Sequence, residues 1–245
     1  MLSLHPKIRS ILLMRKLVPN IITLMNLLCG MIAVTEVLYF KNAAVGAAFI
    51  VLGAVFDFFD GMTARLLKVS SPIGKELDSL SDVVTFGVAP AVMAMSLILN
   101  AQDNILAAIP LVMALFSSYR LAKFNLDERQ TDSFIGLATP ANAFFWLSIP
   151  LIGLQDKFSA IYNVMSSAYF IIPVSLVMSC LLVSEIPMFS LKFHNLKWAD
   201  NKIRFIFLIL SAVLSALLQF AAIPVIIVLY IVLSIVNNII NRKGK

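Results

Sequence analysis

Four aspartates in two close pairs are the residues of this sequence best suited to chemistry. Asp57 and Asp60 are three positions apart, and Asp78 and Asp82 are four positions apart. These spacings place side chains on one face of a helix, so each pair should project from a single helical face. The short connection between the pairs contains Ser-Ser-Pro at residues 70–72. We therefore predict an antiparallel helical hairpin in which the two acidic faces meet.

Four facing carboxylates repel one another unless cations lie between them. The four acids have at most two nearby basic partners, Arg65 and Lys75. Ion pairing would therefore leave part of their negative charge unneutralised. Oxygen ligands favour hard divalent ions, and the stretch has no Cys or His to favour zinc. We predict two divalent cations, Mg²⁺ or Mn²⁺, as in sites that transfer phosphoryl groups. Any one of these acids alone would also fit a structural ion pair; the metal prediction depends on all four.

The residues between the two pairs fit a phosphate-containing substrate. Gly61, Ala64 and Gly74 are small enough for a bulky ligand to approach the backbone. Arg65 carries a planar guanidinium that can bind a phosphate at two points. Small residues at such spacings also serve helix packing, which is the alternative interpretation.

Long apolar helices must position these residues. The 245 residues are 60% hydrophobic and 13% charged, with a mean hydropathy of +0.95, and such a composition requires a bilayer. We predict one all-α polytopic membrane domain over residues 1–245. Its eight transmembrane spans are expected near residues 17–39, 43–67, 80–99, 105–123, 137–154, 160–184, 203–221 and 223–240.

The distribution of basic residues predicts the orientation. If the first of eight spans starts inside, 17 of the 19 Lys and Arg residues fall in cytoplasmic segments, leaving Lys41 and Lys157 outside. Both termini are therefore predicted to be cytoplasmic. An anionic inner leaflet accounts for the net charge of +6 without a nucleic-acid partner. Residues 1–16 are predicted to form a short amphipathic helix on the membrane surface, or alternatively a solvated basic tail.

Eight fixed residues spread over 26 positions resemble the signature of the CDP-alcohol phosphatidyltransferases. They read Asp57-x2-Asp60-Gly61-x2-Ala64-Arg65-x8-Gly74-x3-Asp78-x3-Asp82. The resemblance implies that the four aspartates bind a metal pair and that Asp82 is also the general base. It implies that CDP-diacylglycerol contacts Asp57, Gly61, Ala64, Arg65, Gly74 and Asp78. Asn20 and Thr23 are predicted as further donor contacts, or alternatively as polar caps at the start of a span.

The wider sequence resembles the phosphatidylserine synthase branch of that family. The resemblance rests on Pro19-Asn20-x2-Thr23 with Asn26, on residues 81–90, on residues 120–125 and on Phe134-Ile135-Gly136-Leu137 with Pro140. It implies L-serine as the acceptor, CMP as the leaving group and a homodimer. Arg120 and Lys123 are predicted to bind the serine carboxylate, with hydrogen bonds from Asn125. Alternatively, the two cations are ordinary cytoplasmic anchors of a span.

Three alternatives remain open at this point. The acceptor could be glycerol 3-phosphate or inositol instead of serine. A membrane prenyltransferase also uses acidic helices and divalent metal, but its acidic motifs lie far apart in sequence, whereas here the four acids share one hairpin. A cation transporter is the non-enzyme alternative, because intramembrane carboxylates often mark ion pathways.

Overall fold

Helices form nearly all of the described chain. A computed structural model describes residues 6–69, 71–101, 105–127, 134–191 and 197–243. The α-helices are α1 Pro6–Leu38, α2 Ala43–Leu66, α3 Pro72–Asp82, α4 Ala89–Ala101, α5 Val112–Leu126, α6 Thr139–Ile152, α7 Ser159–Met165, α8 Ala168–Val183, α9 Trp198–Leu218 and α10 Ala222–Lys243. A π-helical segment, Val83–Val88, joins α3 to α4, and 3-10 turns cover Ile105–Leu111, Asp156–Phe158 and Gln219–Ala221. Strands β1 Phe134–Ile135 and β2 Pro187–Met188 form one short antiparallel pair.

Several of these helices have the length and composition of membrane spans. Five stretches among the described residues qualify: Leu17–Leu38, Ala43–Leu66, Pro72–Asn100, Ile105–Leu126 and Asn201–Ile240. The pair Asp156–Met165 and Ala168–Val183, bent by 68°, would make a sixth. The chain is therefore an all-α protein with the helices of a multi-pass membrane protein.

The eight predicted spans all correspond to helices, but five or six of the described stretches meet the length criterion. The last stretch of 40 residues contains both α9 and α10. Gln219 ends α9 with a positive φ of 51°, and α9 and α10 then pack against each other. Helix α6 has 14 residues, fewer than the roughly 20 needed to cross a bilayer alone. Most of its side chains are buried between the other helices.

Three predicted boundaries differ from the structure. The third span begins at Pro72 instead of residue 80, because the Ser71 hydroxyl caps the helix by accepting a hydrogen bond from the Gly74 N–H at 2.9 Å. The sixth span is not one straight helix, since Ser167 adopts an extended conformation between α7 and α8. The predicted surface helix at the N-terminus is continuous with the first span from Pro6 onward, and residues 1–5 lie outside the described residues.

Glycines allow α1, α2 and the α3–α4 helix to approach one another closely. A Cβ added at Gly46 in α2 would lie 2.7 Å from Val37 Cγ2 in α1. A Cβ at Gly30 in α1 would lie 2.5 Å from Thr85 Oγ1, in the π-helical segment. No side chain fits at these distances, so the glycines set the depth at which the acidic ends of α2 and α3 meet α1.

Candidate active site

The C-terminal end of α2 and the C-terminal half of α3 bring the acidic residues together. Asp57 and Asp60 project from α2 and Asp78 projects from α3, and one carboxylate oxygen from each lies within 4.8 Å of the other two. The chain turns between the helices at Lys68, which has a positive φ of 51°. Three acids that are up to 21 positions apart in sequence therefore converge on one point, as the hairpin prediction requires.

Asp82 lies one turn deeper along α3. It is buried, and its Oδ1 accepts a hydrogen bond from Asn26 Nδ2 at 3.2 Å. Its carboxyl group lies within hydrogen-bonding reach of the Asp57 carboxyl. Asp82 is therefore next to the group of three acids but has a separate neutral donor of its own.

The cluster fits a divalent cation. In the described part of the chain, no Lys or Arg forms a salt bridge with any of the four aspartates. Asp60 is 5% exposed, and its Oδ2 has no hydrogen-bond partner among the described residues. Buried carboxylate oxygens without donors are costly. An oxygen-only donor set of this kind is what Mg²⁺ and Mn²⁺ bind.

A cavity of about 270 Å³ opens beside the aspartates. Six residues predicted to contact the donor substrate line this cavity: Asn20, Thr23, Gly61, Ala64, Gly74 and Asp78. A Cβ added at Gly61 would meet nothing nearer than Arg65 Nη2 at 4.0 Å, so the Gly61 backbone faces open space. A Cβ at Gly74 would lie 3.0 Å from Ser71 Oγ and 3.1 Å from Asn20 Oδ1. Glycine at these two positions keeps the cavity open and lets α1 approach α3.

Two of the predicted donor contacts lie outside this lining. Asp57 belongs to the acidic cluster, and the exposed Arg65 donates from Nε to the Gly61 carbonyl at 3.0 Å, one turn back in its own helix. The lining also includes residues that sequence reasoning did not assign to it: Pro19, Val69, Ser71 and Lys75. Lys75 is the basic residue among them. Its position in the first turn after the Ser71-Pro72 helix start could have indicated that it lies beside the cavity.

The three residues predicted to bind the acceptor have different partners. Arg120 is buried in α5 and donates from Nη1 to Thr139 Oγ1 at 3.1 Å, while its Nε has no partner among the described residues. Lys123 forms an ion pair with Glu185. Asn125 donates from Nδ2 to Ser79 Oγ at 2.8 Å. Its backbone carbonyl accepts a hydrogen bond from Lys75 Nζ at 2.9 Å. Among these three described side chains, Arg120 is the buried one and has a nitrogen without a hydrogen-bond partner.

Comparison with known proteins decides between the families that use acidic helices. The sequence model of the family described as CDP-alcohol phosphatidyltransferase matches residues 16–181. The chain belongs to the CDP-alcohol phosphatidyltransferase family. The match contains the whole acidic hairpin and the residues that line the cavity beside it, so the family assignment made from the eight-residue signature is confirmed. The family depends on divalent metal in general, in agreement with four aspartates that form no salt bridge within the described residues.

Individual relatives within this family share one name. The chain is 41% identical over 123 residues to CDP-diacylglycerol–serine O-phosphatidyltransferase of Bacillus subtilis, an alignment covering 50% of this chain and 69% of that protein. The Helicobacter pylori protein of that name (strain 26695) is 32% identical over 144 residues, covering 58% of this chain and 60% of that protein. The Methanocaldococcus jannaschii protein of that name is 34% identical over 126 residues, covering 51% of this chain and 56% of that protein. The alignments to the last two thus span less than two thirds of the relatives' length.

Proposed function

We propose that this phosphatidyltransferase transfers the phosphatidyl group of CDP-diacylglycerol to the hydroxyl group of L-serine, giving phosphatidylserine and CMP. The observation that carries the proposal is the convergence of three carboxylates within 4.8 Å beside a cavity lined by the small residues of the family signature. The relatives' shared name supports serine as the acceptor.

The proposed donor site is the 270 Å³ cavity. Gly61 and Gly74 expose backbone to the diphosphate and cytidine, and Asn20 and Thr23 offer polar groups from α1. Asp57, Asp60, Asp78 and Asp82 would hold two divalent cations, which when bound neutralise charge on the diphosphate. The lipid chains remain among the exposed apolar side chains of the helices, such as Phe58 and Phe59.

Asp82 acts as the general base in this proposal. An alcohol is a weak nucleophile near neutral pH, so a positioned carboxylate must take its proton as the oxygen attacks. The serine oxygen forms a bond to the phosphorus that carries diacylglycerol. The bond from that phosphorus to the bridging oxygen breaks, and its electron pair leaves with CMP.

Arg120 is the proposed partner of the serine carboxylate. Thr139 holds one end of its guanidinium, and Nε, which has no partner among the described residues, is a donor for a second group. Arg120 is near enough to Asp82 for their charges to attract each other, which supports a position for the acceptor's carboxylate close to the base. Lys123 and Asn125 would line the entrance, where Glu185 and Ser79 are their present partners.

Arg120→Ala should raise the KM for serine by about 10- to 100-fold, the equivalent of one lost charge-assisted hydrogen bond. Initial rates of CMP release at varied serine and fixed CDP-diacylglycerol measure it. Arg120→Lys keeps the charge but loses the planar fork, so its KM should fall between those of the wild type and the alanine variant. An effect confined to the KM for CDP-diacylglycerol would move Arg120 to the donor site.

One assay tests the acceptor. Purified protein with CDP-diacylglycerol and Mn²⁺ or Mg²⁺ receives serine, glycerol 3-phosphate or inositol separately, and CMP is quantified. We expect CMP release with serine. Preferential release with one of the other two alcohols would keep the family chemistry and replace the acceptor, and release with none would overturn the proposal.

We also propose eight crossings, with both termini and the active site on the cytoplasmic side of the cell membrane, and a homodimer. The distribution of Lys and Arg supports the orientation.

A cysteine introduced at Lys157 should react with an impermeant thiol reagent in intact cells, whereas one at Lys68 should react only after lysis. The reverse pattern would invert the topology, and a monomeric mass in mild detergent would remove the dimer.

A further inference from the structure

Asn26, in the middle of α1, is the neutral side chain that contacts the proposed base. It is 0% exposed and donates from Nδ2 to Asp82 Oδ1 at 3.2 Å. An ionised carboxylate only accepts hydrogen bonds, so the amide must present its NH₂ group to Asp82. The other three aspartates have no such contact with Asn26 among the described hydrogen bonds.

Thr85 fixes the same residue of α1 from the other side. It lies three positions after Asp82 in the π-helical segment, is fully buried, and donates from Oγ1 to the Asn26 carbonyl at 3.0 Å. Single π-helical turns inside α-helices occur frequently at functional sites. Asn26 is therefore bonded through its side chain to Asp82 and through its backbone to the next turn of the same helix.

Two glycines remove the remaining space around this pair. A Cβ added at Gly53 in α2 would lie 2.6 Å from Thr85 Cγ2 and 3.0 Å from Asn26 Oδ1, and Gly30 is equally close to Thr85. Asn26 Oδ1 has no hydrogen-bond partner among the described residues. A buried amide oxygen left without a donor lowers stability.

We infer that Asn26, braced by Thr85, is a positioning residue that orients the Asp82 carboxylate for removal of the proton from the acceptor hydroxyl. The inference rests on the proposed function. A carboxylate turns easily about its last torsion angle, and a bond to Oδ1 from a fixed amide restricts that rotation. The second oxygen then stays directed at the reacting centre, within the narrow tolerance that proton transfer needs.

Asn26→Leu should lower kcat by about 10- to 100-fold, the range found for residues that orient the ligating side chains of a site without contacting the ligand themselves. Because Asn26 does not line the donor cavity, the KM values for CDP-diacylglycerol and serine should stay close to those of the wild type. Cys29→Ala is the matched control, since Cys29 is buried one turn further along α1 and packs beside Gly53 without a described contact to Asp82. Its kcat should equal that of the wild type.

A pair of variants at Thr85 separates hydrogen bonding from packing and avoids a change at Asn26 itself. Thr85→Val keeps the shape and loses the hydroxyl, whereas Thr85→Ser keeps the hydroxyl and loses the methyl group that faces Gly53. We expect Thr85→Val to lower kcat and Thr85→Ser to keep the wild-type kcat. This holds even if the Thr85→Ser variant has the lower melting temperature of the two.

The outcomes are distinguishable from failure of the proposed function. CMP release by the wild type with serine tests that function alone. If the wild type is active, then unchanged kcat in Asn26→Leu overturns the inference, as does an equal loss in Cys29→Ala. A lower kcat in Thr85→Ser than in Thr85→Val would assign the region to packing and overturn it as well.

Discussion

Asp82→Asn should lower the rate of CMP release by about 10²- to 10⁴-fold, the usual contribution of a general base. The substitution is nearly isosteric and removes the charge that accepts the acceptor's proton. The Asn26 amide loses a charged acceptor but still meets an oxygen, so the helices should keep their packing. Initial rates with saturating serine and CDP-diacylglycerol measure the effect, and circular dichroism with a thermal melt checks the fold.

Asp156→Asn makes the same chemical change away from the site, at an exposed residue of the 3-10 turn before α7. Its rate should equal that of the wild type. Full turnover in Asp82→Asn would remove the base assignment, whatever the cations do. An equal loss in Asp156→Asn would show that the assay reports a general effect of losing negative charge.

The local part of the site could be predicted from the sequence because helical spacing is periodic. Aspartates three and four positions apart must share a face, and Ser71-Pro72 starts a helix by capping chemistry that acts within a few residues. The hairpin between α2 and α3 follows from those two facts. Part of the lining of the cavity beside the aspartates follows as well, since Gly61, Ala64 and Gly74 are on the same two helices.

Contacts between distant helices could not be predicted in the same way. The bond from Asn26 to Asp82 joins residues 56 positions apart, and it depends on the depth and rotation of α1 against α3. The close approach of Gly30 and Gly53 to Thr85 sets that depth, and hydropathy carries no information about it. Likewise, charge alone suggested that Arg120 and Lys123 act together, whereas one is buried beside Thr139 and the other pairs with Glu185.

Bends in the apolar helices were also beyond the hydropathy pattern. Residues 160–184 are uniformly apolar enough for one span, yet the backbone turns by 68° between α7 and α8. The side chains of Ser166 and Ser167 bond to carbonyls three residues back, Asn163 O and Val164 O. Such local bonds compete with a regular helix, and hydropathy averages over them.

Removal of divalent cations should abolish turnover, and their return should stabilise the protein measurably. At about 100 times its dissociation constant, a bound ion adds about 2.7 kcal/mol to the free energy of unfolding. That corresponds to a rise in melting temperature of about 5–10 °C for a domain of this size. Thermal melts of chelator-treated protein with and without Mn²⁺ measure the shift independently of activity.

The melting temperature of the Asp60→Asn variant should change in opposite directions without and with metal, which a loss of activity alone would not show. Without metal, the variant should melt at a higher temperature than the wild type, because it removes one of three charges whose oxygens lie within 4.8 Å of one another. The Oδ2 atom of Asp60 is also buried without a hydrogen-bond partner among the described residues. With Mn²⁺, the order should reverse, because the variant has lost a ligand. Asp156→Asn should follow the wild type in both conditions. An Asp60→Asn variant that gains as much from Mn²⁺ as the wild type would place the stabilising ion elsewhere, and the acidic hairpin would then lose its assignment as the metal centre.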